Sequence, residues 1–105
     1  MRIYISGPIT GNDHARQDFA RMERMLQKAG FKDVINPEAV LRRLSMTHGQ
    51  YLHVCKSLVE VATVMLLMPG WRKSTGACIE VGVALSKGMD IYELDKNGQP
   101  RLLQI

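Results

Sequence analysis

One carboxylate stands out for chemistry. Glu80 follows a glycine-marked turn, Pro69-Gly70-Trp71-Arg72-Lys73-Ser74-Thr75-Gly76. At helical spacing it shares a side with Ala77, Val81 and Ala84, the side that must pack on a sheet rather than face solvent. A carboxylate in that position is costly unless it is paired or used. The plain reading is a glutamate at the edge of the apolar stripe or one satisfied by a backbone donor. The chemical reading is a partly desolvated carboxylate beside an anion-binding helix start, able to attack an electrophilic sugar carbon and form a glycosyl-enzyme ester. Ser74 and Gly76 open the same helix, where hydroxyl and N–H groups can hold a phosphate or sugar oxygens. A simple serine cap, contributing about 1 kcal/mol, is the alternative. Trp71, in the loop before it, is a large aromatic that needs a cover, either a base stacked on it or a subunit interface. Arg72 and Lys73 place positive charge at the same mouth.

A second glycine turn, Tyr4-Ile5-Ser6-Gly7-Pro8-Ile9-Thr10-Gly11, has the same setting. Each turn follows a short apolar run, Ile3 to Ile5 or Val64 to Met68, and each opens a helix. In a parallel sheet both turns lie at one edge, where helix N-termini point unpaired N–H groups outward and glycine admits a ligand to the backbone. A nucleotide-sized site is expected there, with Ser6, Gly7, Pro8, Thr10 and Gly11 on one side. Pro69, Gly70, Trp71, Ser74 and Gly76 are expected on the other.

The elements that position these turns read as follows. Arg2 to Ser6 is a buried strand, followed by a helix capped at Asn12 or Asp13 with Ala15, Phe19, Met22, Leu26 and Ala29 on one face and Gly30 as its left-handed stop. Lys32 to Ile35 is a short strand, and Asn36-Pro37 starts a helix carrying Val40, Leu41 and Leu44. Thr47 and Gln50 form a capping box for a longer helix whose stripe is Tyr51, Val54, Cys55, Leu58 and Ala62. Thr63 to Met68, continuously apolar, is a central parallel strand. The Glu80 helix runs from Ser74 to Gly88, Met89 to Glu93 is a fourth strand, and after the turn at Asp95 to Gly98 the run Leu102 to Ile105 pairs back as an antiparallel edge. Right-handed crossovers then give a small α/β, doubly wound, Rossmann-like or flavodoxin-like sheet of order near 2-1-3-4, with a C-terminal hairpin strand and the two glycine turns flanking the crevice between strands 1 and 3.

Composition bounds the function. A chain of 105 residues builds one domain, residues 1–105, around one core. Its first apolar stretch is too short for a signal-peptide core or a membrane span, which predicts a cytoplasmic protein with no membrane partner. Cys55 and Cys78 both read as reduced thiols on apolar helical faces. The net charge of +4 is mild and the basic residues near Arg16 to Lys28 are interleaved with Asp18 and Glu23, which argues against a nucleic-acid surface. His14, His48 and His53 lack metal-ligand spacing, so no metal is expected. Neither Gly-x-Gly-x-x-Gly, Gly-Lys-Ser/Thr nor Gly-x-Ser-x-Gly occurs, which excludes the corresponding dinucleotide, P-loop and serine-hydrolase motifs; no cofactor is expected.

At these residues the chain resembles the nucleoside 2-deoxyribosyltransferase superfamily, which includes deoxynucleoside 5'-monophosphate N-glycosidases, and within it the short, phage-associated branch labelled DUF4406. The similarity covers residues 1 to 92 and lies in Ile3 to Gly11, in Asn36-Pro37-Glu38, and in Leu66 to Trp71 with Ser74, Gly76, Ala77 and Glu80. It implies that Glu80 is the catalytic nucleophile, that Tyr4 lines the site, and that Ser74 and Gly76 help bind phosphate. It also implies a homodimer or higher homo-oligomer, for which Trp71 and the Thr47 to Leu58 helix are the candidate contacts. If the protein is phage-encoded, it implies a host-cytoplasmic location. The chain departs from the superfamily pattern at Cys55, where an aspartate usually assists at the sugar and base. It departs at Pro8 and Thr10, where the monophosphate glycosidases place a serine and an arginine, and at Lys73, where transferases often set an aspartate.

Two functions follow. The first is an enzyme that cleaves or transfers at the N-glycosidic bond of a nucleoside or nucleotide, with Glu80 attacking the anomeric carbon and Trp71 covering the base. The second is a non-catalytic binder that keeps the crevice and sequesters a nucleotide or ADP-ribose-type signal.

Overall fold

The computed structural model describes residues 1–103. Four parallel strands and one antiparallel strand form a single sheet of order β2-β1-β3-β4-β5: β1 is Ile3–Ser6, β2 Val34–Ile35, β3 Val64–Leu67, β4 Asp90–Leu94 and β5 Pro100–Leu102. The helices are α1 (Ala15–Lys28), α2 (Pro37–Leu41), α3 (His48–Glu60) and α4 (Thr75–Ser86), with a 3-10 turn at Trp71–Lys73. This is the α/β, doubly wound order expected from right-handed crossovers, closed by the antiparallel hairpin strand.

Period-two alternation divides the core between the two faces of the sheet. Ile3 and Ile5 of β1 and Leu66 of β3, with Met68 just beyond, meet Ala15, Phe19 and Met22 of α1. Tyr4, Met65, Leu67 and Ile91 meet Val59 of α3, Ala62, and Val81 and Ala84 of α4 on the other face. The chain therefore leaves β1 toward one face and β3 toward the other, which opens a crevice between these neighbouring strands at their C-terminal ends. Helices α3 and α4 pack against each other. Both descend from that same edge, so their first turns stand at the mouth of the crevice.

Local signals explain most boundaries. Asn36 caps α2 through Ala39 N–H, with Pro37 in the first turn, and Thr47 and Gln50 form the reciprocal capping box of α3. Ser74 caps α4 by accepting from Ala77 N–H at 3.2 Å. Gly30, at φ 99°, follows α1 in the left-handed region, where a side chain is strained.

Several expectations are corrected. Residue His14, not Asn12 or Asp13, precedes α1, and it gives no side-chain cap; Asn12 instead accepts from His14 N–H and donates to the Pro8 carbonyl, folding the loop rather than capping the helix. Helix α2 ends at Leu41; Val40 is on its exposed side and Leu44 lies beyond its end, so only Leu41 of that group is buried. Cys78 is exposed while Cys55 is buried, because position 78 is rotated off the Ala77, Val81 and Ala84 line that meets the sheet. The closing strand starts two residues earlier than expected, at Pro100; the expected run's last two residues, 104 and 105, lie outside the described residues.

At the crevice floor, the ends of β1 and β3 approach closely. Met68 N–H donates to the Ser6 carbonyl at 2.8 Å, and a Cβ built at Gly7 would lie 2.8 Å from Met68 Cβ. Backbone-rooted atoms cannot swing away as a side-chain tip can. Gly7→Ala is expected to destabilise the fold by about 1–3 kcal/mol through overpacking, read as a lower urea midpoint with an unchanged slope.

Candidate active site

The site is built from the β1 side chains that face α3 and α4. Alternation sends Tyr4 and Ser6 to that face, and helical periodicity sends Glu80 down from α4 to meet them. The Tyr4 hydroxyl donates to Glu80 Oε2 at 2.5 Å and the Ser6 hydroxyl donates to Oε1 at 2.6 Å. Both distances fall in the short range characteristic of O–H donors to an ionised carboxylate. Glu80 keeps only 7% of its surface exposed, and Tyr4 and Ser6 have none. Each carboxylate oxygen is thus fixed by one hydroxyl and retains lone-pair capacity toward the cavity.

Burial and hydrogen bonding oppose each other at Glu80. Burial, the larger effect, raises its pKa above the ordinary glutamate value; hydrogen bonds from Ser6, Tyr4 and Cys55 pull it back down. Burial, followed by the nearby Glu80 charge, pushes the Tyr4 phenol far up, so Tyr4 keeps its proton and serves as a donor. The Cys55 thiol is pushed up to about 11, first by burial and then by Glu80. A thiol so raised is a poor proton source near neutrality.

Above this floor lies a cavity of about 350 Å³, lined among others by Gly7, Thr10, Ser74, Gly76 and Glu80. That is the size of a small-ligand site. Its lining combines two chemistries. Pro37 from α2 and Tyr51 and Leu52 from α3 supply an apolar and aromatic wall, while Thr10, Lys73, Ser74, Thr75 and Gly76 supply a wall of hydroxyl, ammonium and N–H groups, and the two adjoin where Leu52 lies against Gly76. His48, in the first turn of α3, also lines the cavity. Burial first, then the nearby Cys55, Glu80 and Glu38, raises the Tyr51 phenol well above its ordinary range, so it too remains protonated. Among the described residues, no group of three His, Cys, Asp or Glu side chains is arranged to hold a metal ion.

The structure brings Gly7, Thr10, Ser74, Gly76 and Glu80 to one cavity and sets Tyr4 and Ser6 beneath the carboxylate rather than on the lining. Pro8, Gly11, Pro69, Gly70 and Trp71 do not line it. Pro69, Gly70 and Trp71 border a separate crevice of about 320 Å³ near Glu93, and Arg72 lies over the Trp71 ring at 4.6 Å. The tryptophan is thus covered in part by its own neighbour. Sequence reasoning missed His48, Tyr51 and Leu52 as lining residues. Their spacing of three and four residues from His48 puts them on one side of α3, but on its own that spacing reads as core packing.

Residues 1–93 match the sequence model of a family described as Domain of unknown function (DUF4406). No curated protein matches the chain. No helix among the described residues is long and apolar enough to cross a membrane.

The two hydroxyl donors make testable contributions. Tyr4→Phe and Ser6→Ala each remove a hydrogen bond to a buried charged group and are expected to cost about 1.5–3 kcal/mol at neutral pH, measured by urea unfolding. Burial lets the folded carboxyl bind its proton more readily than the unfolded chain does. Stability from this group is therefore fully present below the ordinary glutamate value and is lost as pH rises through the raised folded value. Glu80→Gln is expected to melt above the wild type at neutral pH, with the gap closing in acid; a gap constant with pH would contradict the burial of an ionised carboxylate.

Proposed function

The chain belongs to the DUF4406 family, whose description assigns no activity, and from its own residues we propose that it acts on the N-glycosidic bond of a nucleoside or nucleotide, with Glu80 as the nucleophile. The observation that carries this reading is a buried carboxylate held at both oxygens by hydroxyl donors on the floor of a nucleoside-sized cavity. Two hydroxyl donors fix the carboxylate's orientation while a lone pair stays free toward the cavity, which is what a nucleophile needs.

The two walls give the ligand a direction. The base rests against Pro37, Tyr51 and Leu52, which offer apolar and aromatic surface, and the sugar hydroxyl or 5'-phosphate faces Thr10, Lys73, Ser74 and Gly76. Ser74 Oγ is already engaged by Ala77 N–H as an acceptor, but its proton remains available for an oxygen of the ligand. In the first step a Glu80 oxygen attacks C1', the C1'–N bond breaks, and its electron pair leaves with the base. Water or a second base then attacks C1' and releases Glu80.

A homodimer is also proposed. Apart from the buried Glu80, α4 carries no charged residue, and its outward side presents Cys78, Ile79, Gly82 and Leu85. A helix apolar on all sides is expected to be covered on all sides. Ile79→Glu is expected to convert a dimer into a monomer in sedimentation velocity without changing the helical circular dichroism.

The catalytic proposal is tested by chromatographic detection of free base after incubation with deoxynucleosides, their 5'-monophosphates and ADP-ribose derivatives. The wild type is expected to release base, Glu80→Ala to fall to background, and a sugar adduct on Glu80 to be seen by mass spectrometry in the wild type alone. Ligand recovered intact only after denaturation would identify a sequestering protein instead.

A further inference from the structure

N-glycosides of ordinary bases part slowly unless the departing base takes up a proton, so a nucleophile alone is half of the machinery. Among the described residues, no second carboxylate lines the cavity beside Glu80. Helix α3 carries a stripe at positions 48, 51 and 52, and 55. Cys55 lies deepest, beside Tyr4 and Glu80; Tyr51 and Leu52 are one turn higher on the wall, and His48 is a further turn out at the mouth. Seven residues of α-helix rise about 10 Å. That distance is comparable with the span from the Glu80 carboxylate through an anomeric carbon poised on it to the far side of a base ring.

Of the lining groups that carry exchangeable protons, the aliphatic hydroxyls of Thr10, Ser74 and Thr75 are too weakly acidic to protonate a departing base, which leaves Tyr51, Lys73 and His48. Tyr51 is a phenol held protonated, suited to a standing hydrogen bond. Lys73 belongs to the polar wall on which the sugar oxygens or phosphate rest, and Glu80 is committed to C1'. His48 stands on the base-facing helix, and imidazole is the ordinary side chain that both gives and takes a proton near neutral pH. The capping box formed by Thr47 and Gln50 fixes the backbone on which it sits.

Resting on the glycosidic reading above, we propose that His48 is the general acid that protonates the leaving base, and that it therefore touches substrate as a catalytic residue. As Glu80 bonds to C1' and the C1'–N pair departs with the base, the proton of the His48 imidazolium moves to a ring nitrogen or carbonyl oxygen of that base. The products are the Glu80 sugar ester, neutral base and neutral His48. In the second step neutral His48 takes a proton from the attacking water, the new C1'–O bond forms as the C1'–Glu80 bond breaks, and both residues return to their starting states. The acid thus stands two turns along α3 from Cys55, on the helix whose deeper position holds only a thiol.

The test compares leaving groups. Wild type and His48→Gln are assayed for base release from 2'-deoxyadenosine, 2'-deoxyuridine and their 5'-monophosphates, and from the 5-fluorouracil and 2-fluoroadenine counterparts, whose bases leave more readily without a proton. Removal of a general acid is expected to slow release of the ordinary bases by about 100-fold or more. The fluorinated substrates should lose far less, and the variant should melt as the wild type does. A loss of equal size on both series, or no loss, overturns the role of His48 while leaving Glu80 as nucleophile. Absence of base release by the wild type from every substrate overturns both proposals.

Discussion

A buried carboxylate gripped by two hydroxyls constrains everything around it. Glu80 loses solvation on entering the interface between α4 and the sheet, and Tyr4 and Ser6 return part of it through two short hydrogen bonds. Those donors come from alternate residues of one strand, so β1 must present this face toward the Glu80 side chain. The order β1-β3-β4 sets the reach, since α4 leads from β3 to β4 and packs on β4, and the Glu80 side chain must extend from it to β1 on the other side of β3. Gly7 has a related role: without a Cβ, it lets the ends of β1 and β3 close beside Met68.

The arrangement costs stability. A glutamine at position 80 would carry no charge to desolvate, and an apolar pair in place of Tyr4 and Ser6 would pack without obligate partners. The retained triad instead keeps a carboxylate oriented and only partly compensated, with protonated Tyr51 and the raised Cys55 thiol nearby on α3. Such opposed effects on one carboxylate facing a cavity support the proposed nucleophile. The contrast between the walls adds direction to it. An apolar and aromatic surface on one side and N–H, hydroxyl and ammonium groups on the other suit a ligand with a flat ring at one end and oxygens at the other.

Several features were open to reading from residue order. The caps at Asn36, Thr47 and Ser74, the left-handed Gly30, and the placement of Glu80 with Ala77, Val81 and Ala84 each depend on interactions within about one helical turn. The parallel order of the sheet followed from element sequence and the hand of crossovers. Errors arose where two local patterns competed. Cys78 sits between sheet-facing residues yet points outward, Val40 lies on the exposed side of α2, and Leu44 continues an apolar spacing after the short α2 has ended.

What the sequence determined by itself is therefore the carboxylate, its helix, the two glycine turns and the edge of the sheet at which they meet, because these rest on short-range periodicity and chain chirality. Only the tertiary structure decided that Ser6 and Tyr4 hold Glu80 from below, 74 and 76 residues away in the chain. It also decided that Trp71 borders another crevice while α3 supplies the nearer wall with His48, Tyr51 and Leu52. Those pairings depend on how far α3 and α4 rotate and slide against each other over the sheet, a quantity set by side-chain interlocking across the whole core and written in no single segment.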